Sequence, residues 1–179
     1  MSLVVLLRGV NVGGHRTLRP SVLAEQLSHL DAVSIGAAGT FVIRRKVSRA
    51  RVRLEFERRL PADALIVMCE GREIVRLLAA DPFSNRRLGP GIVRFVSVLS
   101  QAPRLTPPTP MRFPATGQWL VRILGRQSRF VIGLYRRHMR VISYLGMVDR
   151  VFGVPATTRN WNTLAAIARV LDQGRPPHR

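Results

Sequence analysis

Two segments of this 179-residue chain gather side chains suited to holding an anion. The first is Arg8-Gly9-Val10-Asn11-Val12-Gly13-Gly14-His15-Arg16. It lies between an apolar run and a helical pattern, where backbone amides and paired glycines can form a nest for phosphate or carboxylate. Arg8, Asn11, Gly13, Gly14 and Arg16 are its candidate ligand-binding residues. No Gly-Lys-Ser/Thr follows, so it is not a P-loop, and glycines at 9, 13 and 14 do not fit the dinucleotide fingerprint. A purely conformational reading competes: glycine and asparagine supply the positive φ of a tight surface turn. The second segment is Pro155-Ala-Thr-Thr158-Arg159-Asn160-Trp161-Asn162-Thr163. Arg159 can clamp a phosphate or carboxylate beside a positive helix end, and Trp161 can stack on a base or sugar. Thr158, Asn160 and Asn162 supply polar contacts, and either asparagine can cap the helix that follows. The competing reading is a lock in which Trp161 plugs a core gap while Asn and Thr side chains staple the loop.

Catalytic sets are sparse. The histidines at 15, 29, 138 and 178 are scattered, with no His-x-x-x-His pair and no carboxylate at ligand spacing, so neither a metal nor a cofactor is expected. His15 is the one histidine in a candidate pocket, and so the single weak candidate for a general base. Cys69, the only cysteine, excludes an internal disulfide and ends an apolar strand as a buried, inert thiol. Glu25, Glu55 and Glu57 read as solvated helix residues.

Charge points toward a polyanion. Lys and Arg total 29 against 10 Asp and Glu, a net charge of +19, and Lys46 is the only lysine. A GC-rich coding sequence produces such an arginine excess without selection for binding. The distribution is uneven, however: residues 82–179 hold 16 basic groups and two acids, Asp149 and Asp172. A nucleic acid or a phosphorylated small molecule is the partner this implies. Apolar runs are too short to span a bilayer, and Arg8-Gly9 interrupts the N-terminal one, so no membrane partner and a cytoplasmic location are expected.

The elements that position these residues follow from periodicity. Leu3–Leu7 reads as a buried strand; Pro20-Ser21 opens a helix with Leu23, Leu27 and Leu30 on one face. Strands at Val33–Ile35 and Thr40–Ile43 are joined through Gly36-Ala-Ala-Gly39. Ser48 caps a helix with Val52, Phe56 and Leu60 inside and the pairs Arg53/Glu57 and Glu55/Arg59 outside; Ala64–Cys69 is a further strand. The order β-α-β-β-α-β is the split βαβ, or ferredoxin-like, arrangement. A helix carrying Ile74, Leu77 and Leu78 and a strand at Ile92–Leu99 follow; five prolines between 103 and 114 exclude a helix there. Strands are expected at Trp119–Leu124, Phe130–Tyr135 and Met139–Leu145, then a last helix over Asn162–Leu171.

LLRGVNVGG and GVPATTRNWNT resemble the paired signatures of a bacterial family of unknown function, the domain-of-unknown-function family numbered sixteen ninety-seven, and Ala80-Asp81-Pro82-Phe83 is similar to its internal Asn-Pro-Phe element. The resemblance spans nearly the whole chain. It implies an α+β fold of two ferredoxin-like (split βαβ) halves packed together, the second irregular, and no established activity. Departures exist: Ala38-Gly39-Thr40-Phe41 replaces Ser-Gly-Asn-Val, His15-Arg16 stands where a Lys is common, and Leu145–Arg150 lacks the Ser-Lys pair. The expected organisation is a lobe over 1–70, a connecting helix and loop over 71–91, a second lobe over 92–173 and a tail over 174–179. Binding of a nucleotide or nucleic acid between the Gly13-Gly14 and Arg159–Trp161 loops is the leading functional reading. An enzyme acting on a small phosphorylated substrate, clamped by Arg8, Arg16 and Arg159, and a protein-interaction module with purely structural motifs are the alternatives. Whether the chain is an enzyme stays open.

Overall fold

The computed structural model describes residues 2–10, 18–84 and 86–173, so the tail expected over 174–179 lies outside the described residues. The fold is α+β, with two antiparallel sheets in two compact units: residues 1–79 with 162–179, and residues 80–161. The last helix therefore joins the first unit.

In the first unit, β1 (Leu3–Arg8), α1 (Pro20–Gln26), β2 (Ala32–Ile35), β3 (Thr40–Ile43), α2 (Arg49–Glu57) and β4 (Leu65–Glu70) form a sheet ordered β2-β3-β1-β4. That is the ferredoxin-like order, with the first strand central between β3 and β4. Leu3, Val5 and Leu7 alternate onto one face and bury Leu23 and Leu27 of the α1 region and Val52 and Phe56 of α2. The Phe41 and Phe56 rings meet edge to face at 5.2 Å. Val4, Leu6, Val42, Val67 and Cys69 are buried on the opposite face, which is why β1 reads as an unbroken apolar run. Ser48 caps α2 by accepting a hydrogen bond from Arg51 N at 3.2 Å. The β2–β3 turn needs its glycines, with φ of +61° at Gly36 and +66° at Gly39. The unit is completed by α3 (Gly71–Ala80) and by α6 (Trp161–Gln173) from Asn162 onward; Ile74, Leu77, Leu164 and Ile167 are buried. Among the described residues no helix is long and apolar enough to cross a membrane.

Glu55 departs from expectation. Although it stands on the outer side of α2, it is 4% exposed. Arg59 Nη1 lies 2.8 Å from its carboxylate, Arg51 Nε 3.1 Å, His29 Nε2 3.4 Å and Arg58 Nη1 3.9 Å. The Arg59 hydrogen bond holds the carboxyl below the ordinary carboxylate range; burial opposes this, and the charges of Arg51, Arg59 and His29 add to it. A folded value below the unfolded one means that this stabilisation is complete above the unfolded value and lost as the pH falls through the folded one. Glu55→Gln is therefore expected to lower the melting temperature near neutrality, with the gap to wild type closing as the pH falls below the ordinary carboxylate range. Melting curves across that range check this, and a constant gap would remove the carboxylate as the cause.

The second unit holds β5 (Ile92–Leu99), β6 (Met111–Phe113), β7 (Val121–Gln127), β8 (Phe130–Arg136) and β9 (Ala156–Asn160), ordered β6-β7-β8-β5-β9. Met139–Leu145 is not a strand. It contributes to α4 (Val141–Leu145), followed by α5 (Met147–Phe152). None of the residues of α4 is buried, so its β-branched run has no sheet face to fill, whereas in α5 the buried Val148 and Phe152 repeat at helical spacing and pack with Leu99, Ile123 and Val131. The Thr157–Arg159 stretch, expected as a loop, is the edge strand β9. Its polar residues hid the alternation, yet threonine suits a pleated surface.

Candidate nucleic-acid interface

Of the residues expected to bind a ligand, Asn11, Gly13, Gly14 and Arg16 lie outside the described residues, as does the candidate base His15. Arg8 is the exposed last residue of β1, opposite Leu65. Asn162 is exposed in the first turn of α6 and belongs to the first unit. The rest of the second motif is in the second unit. There, Thr158 shares a 2.6 Å hydrogen bond with Ser97 on β5. Arg159 is 7% exposed and donates through Nη1 to Thr157 Oγ1 at 2.9 Å and to the Thr158 carbonyl at 2.8 Å. Burial lowers its pKa to about 10, which still leaves the guanidinium charged at neutral pH. Asn160 is exposed at the end of β9, opposite Phe95. Trp161, half-buried, meets Phe83 edge to face at 5.0 Å.

The sheet brings together a second set of arginines that no sequence motif contains. Arg112 on β6 pairs with Arg122 on β7, Arg122 with Leu134 on β8, and Leu134 with Arg94 on β5. Paired residues point to the same face, so Arg112, Arg122 and Arg94 form one row across four strands, all three exposed. At about 4.8 Å between strands the row spans roughly 14 Å. Arg94 lies over the Phe83 ring at 6.0 Å, and Arg112 Nε donates to the Ala115 carbonyl at 3.0 Å. The unit carries thirteen arginines and two carboxylates, Asp81 and Asp149. Asp81 accepts from Phe83 N at 3.4 Å and Asp149 from Ala156 N at 3.0 Å. Among the described residues neither pairs with the row, whereas Asp31, Glu55, Glu57, Glu70 and Glu73 of the first unit all hold arginines. Like charges directly opposite across strands repel, so the row is a surface built at a cost of stability.

The family described as "Protein of unknown function (DUF1697)" matches residues 1–108. The chain belongs to this family. The match covers the whole ferredoxin-like sheet and β5, so in this DUF1697 protein Arg94 lies inside the matched residues and Arg112 and Arg122 beyond them. Among solved structures, the fold is similar to that of "conserved bacterial protein SP0830 from Streptococcus pneumoniae". That similarity has a TM-score of 0.60 at 15% identity and covers 95% of this chain and 98% of the other. No curated protein matches the chain. Nothing in sequence order marked the row, because 94, 112 and 122 meet only through strand pairing. The available signal was the two-residue period within β5 and β7, together with the loss of acidic residues after Pro82.

Proposed function

We propose that this DUF1697 protein binds nucleic acid through the arginine row of its second sheet. The observation that carries the reading is the cross-strand set Arg112, Arg122 and Arg94, exposed on one face and unmatched by any carboxylate of its unit. A row of roughly 14 Å suits successive phosphates of a polymer better than the single phosphate of a metabolite. Repulsion along it is relieved when the counter-charge arrives, and each neutralised phosphate releases counterions. Trp161 does not serve as an open stacking surface in this reading; together with Phe83 it supports the position of Arg94.

Arg94→Gln/Arg112→Gln/Arg122→Gln is the test, read by anisotropy of a labelled duplex over a range of salt. Removing about three phosphate contacts is expected to make the slope of log K against log salt less negative by roughly 3, with no loss of melting temperature. An unchanged slope would overturn the row as the binding surface. Binding of a mononucleotide in preference to the duplex would move the reading to the enzyme alternative.

A further inference from the structure

We infer that the turn after β8 is an apolar wedge that kinks duplex DNA; this rests on the nucleic-acid reading above. The chain leaves β8 at Arg136 and turns through Arg137-His138-Met139-Arg140 into α4. Met139 is 95% exposed and Ile142 77%, the two highest values among the exposed large hydrophobic residues described. The turn is closed by its own hydrogen bonds: Arg140 N donates to His138 Nδ1 at 3.1 Å, and Val141 N to the His138 carbonyl at 3.1 Å. Both apolar side chains are thus held out in water by an ordered backbone.

The surroundings define what would cover them. Arg137, His138 and Arg140 are exposed around the tip, and residues 130–148 contain no carboxylate. At the root, the Arg136 guanidinium lies 4.5 Å from the Trp119 ring centroid, and its buried Nε has no hydrogen-bond partner among the described residues. The partner must therefore present negative charge next to an apolar slot. Stacked bases beneath a phosphate backbone do so, and proteins that bend DNA insert Met, Ile, Leu or Phe between base steps while cationic side chains hold the flanking phosphates. A second copy of the chain is a poorer fit, because it would bring one arginine-rich surface against another.

Location joins the tip to the row. Arg136 N donates to the Leu120 carbonyl at 2.8 Å and Arg137 N to the Gly91 carbonyl at 2.9 Å. The turn therefore leaves the sheet two residues beyond Leu134, at the end where Arg94 and Arg122 flank that residue. A duplex tracked by the row passes the tip.

The experiment uses a doubly end-labelled duplex of about 20 base pairs, with energy transfer reporting end-to-end distance and anisotropy reporting occupancy. Wild type at saturation is expected to shorten the distance as a kink of about 20° or more does. Met139→Ala/Ile142→Ala changes two exposed side chains, and is expected to bind within about threefold of wild type while leaving the duplex straight. Wild type that binds without bending, or a double variant that bends as wild type does, overturns the wedge and leaves the row standing. No binding by wild type overturns both. Sedimentation showing a dimer that the double variant dissolves assigns the tip to a second copy and likewise overturns the wedge.

Discussion

Gly133→Ala is expected to cost about 3 kcal/mol, the upper part of the range for an added methyl in a filled core. Gly133 lies in the middle of β8, opposite Phe95 on β5 and Ile123 on β7. A Cβ there would fall well under 3.0 Å from Phe95 Cζ and 2.7 Å from the Arg122 carbonyl oxygen. Phe95 is fully buried, with its ring 6.0 Å from Tyr135, so it has nowhere to swing. The Arg122 oxygen is backbone of the neighbouring strand and cannot withdraw without breaking the ladder. Relief must come from the ring: Phe95→Leu in the Gly133→Ala background is expected to recover part of the loss, a coupling that only contacting residues show. Urea unfolding of the two single variants and the double variant checks this. A Gly133→Ala change within about 0.5 kcal/mol of wild type would mean that β7 and β8 can spread. Because Leu134 and Arg122 are its neighbours, the same substitution would also disturb the spacing of the arginine row.

The second large effect is expected at Phe83, where alanine should remove about 3–5 kcal/mol. Phe83 is 2% exposed, takes the edge of Trp161 at 5.0 Å and lies under Arg94. The Asp81 side chain, which accepts from Phe83 N, fixes the backbone that carries the ring. Truncation leaves a cavity, strands a half-buried indole and frees Arg94 at once. Phe83→Leu keeps most of the volume and loses the ring edge, so about 0.5–1.5 kcal/mol is expected. Thermal and urea unfolding of both variants separates the two contributions. Equal losses would show that packing volume is not what Phe83 supplies. Of the two neighbouring aromatics, Phe83 rather than Trp161 is the one buried throughout, which moves the expected core plug from the second motif to the Ala80–Phe83 element.

How legible each part was follows from where its signal lay. The first sheet and α1 and α2 were readable because Leu3–Leu7, Thr40–Ile43 and Leu23/Leu27 carry their periods within a few residues. β6 and β9 were not. A three-residue strand among prolines and a Thr-Thr-Arg-Asn strand offer no apolar alternation, and both exist because a neighbour supplies the ladder. Glu55 sits at an outward helical position but is enclosed by arginines, one of them at i−4 and another at i+4. Arg159 announced itself by its unusual neighbours and turns out to be bonded within its own strand. Arg94, Arg112 and Arg122 are unremarked singly, and become a surface only when strand register adds them together.

Pro110 and Pro114 bracket β6, a strand of three residues whose middle one is the exposed Arg112. Proline has no amide hydrogen to offer, and a charge at the margin repels a like neighbour. The β6 border of the second sheet is thus too short and too cationic to recruit another extended chain. Under the proposed nucleic-acid binding, a protein carrying +19 is held at high local density along a polyanion that cancels the repulsion between copies, and the usual guard against fibrillar association is lost. The prolines keep that guard in the backbone, where no counter-charge can neutralise it.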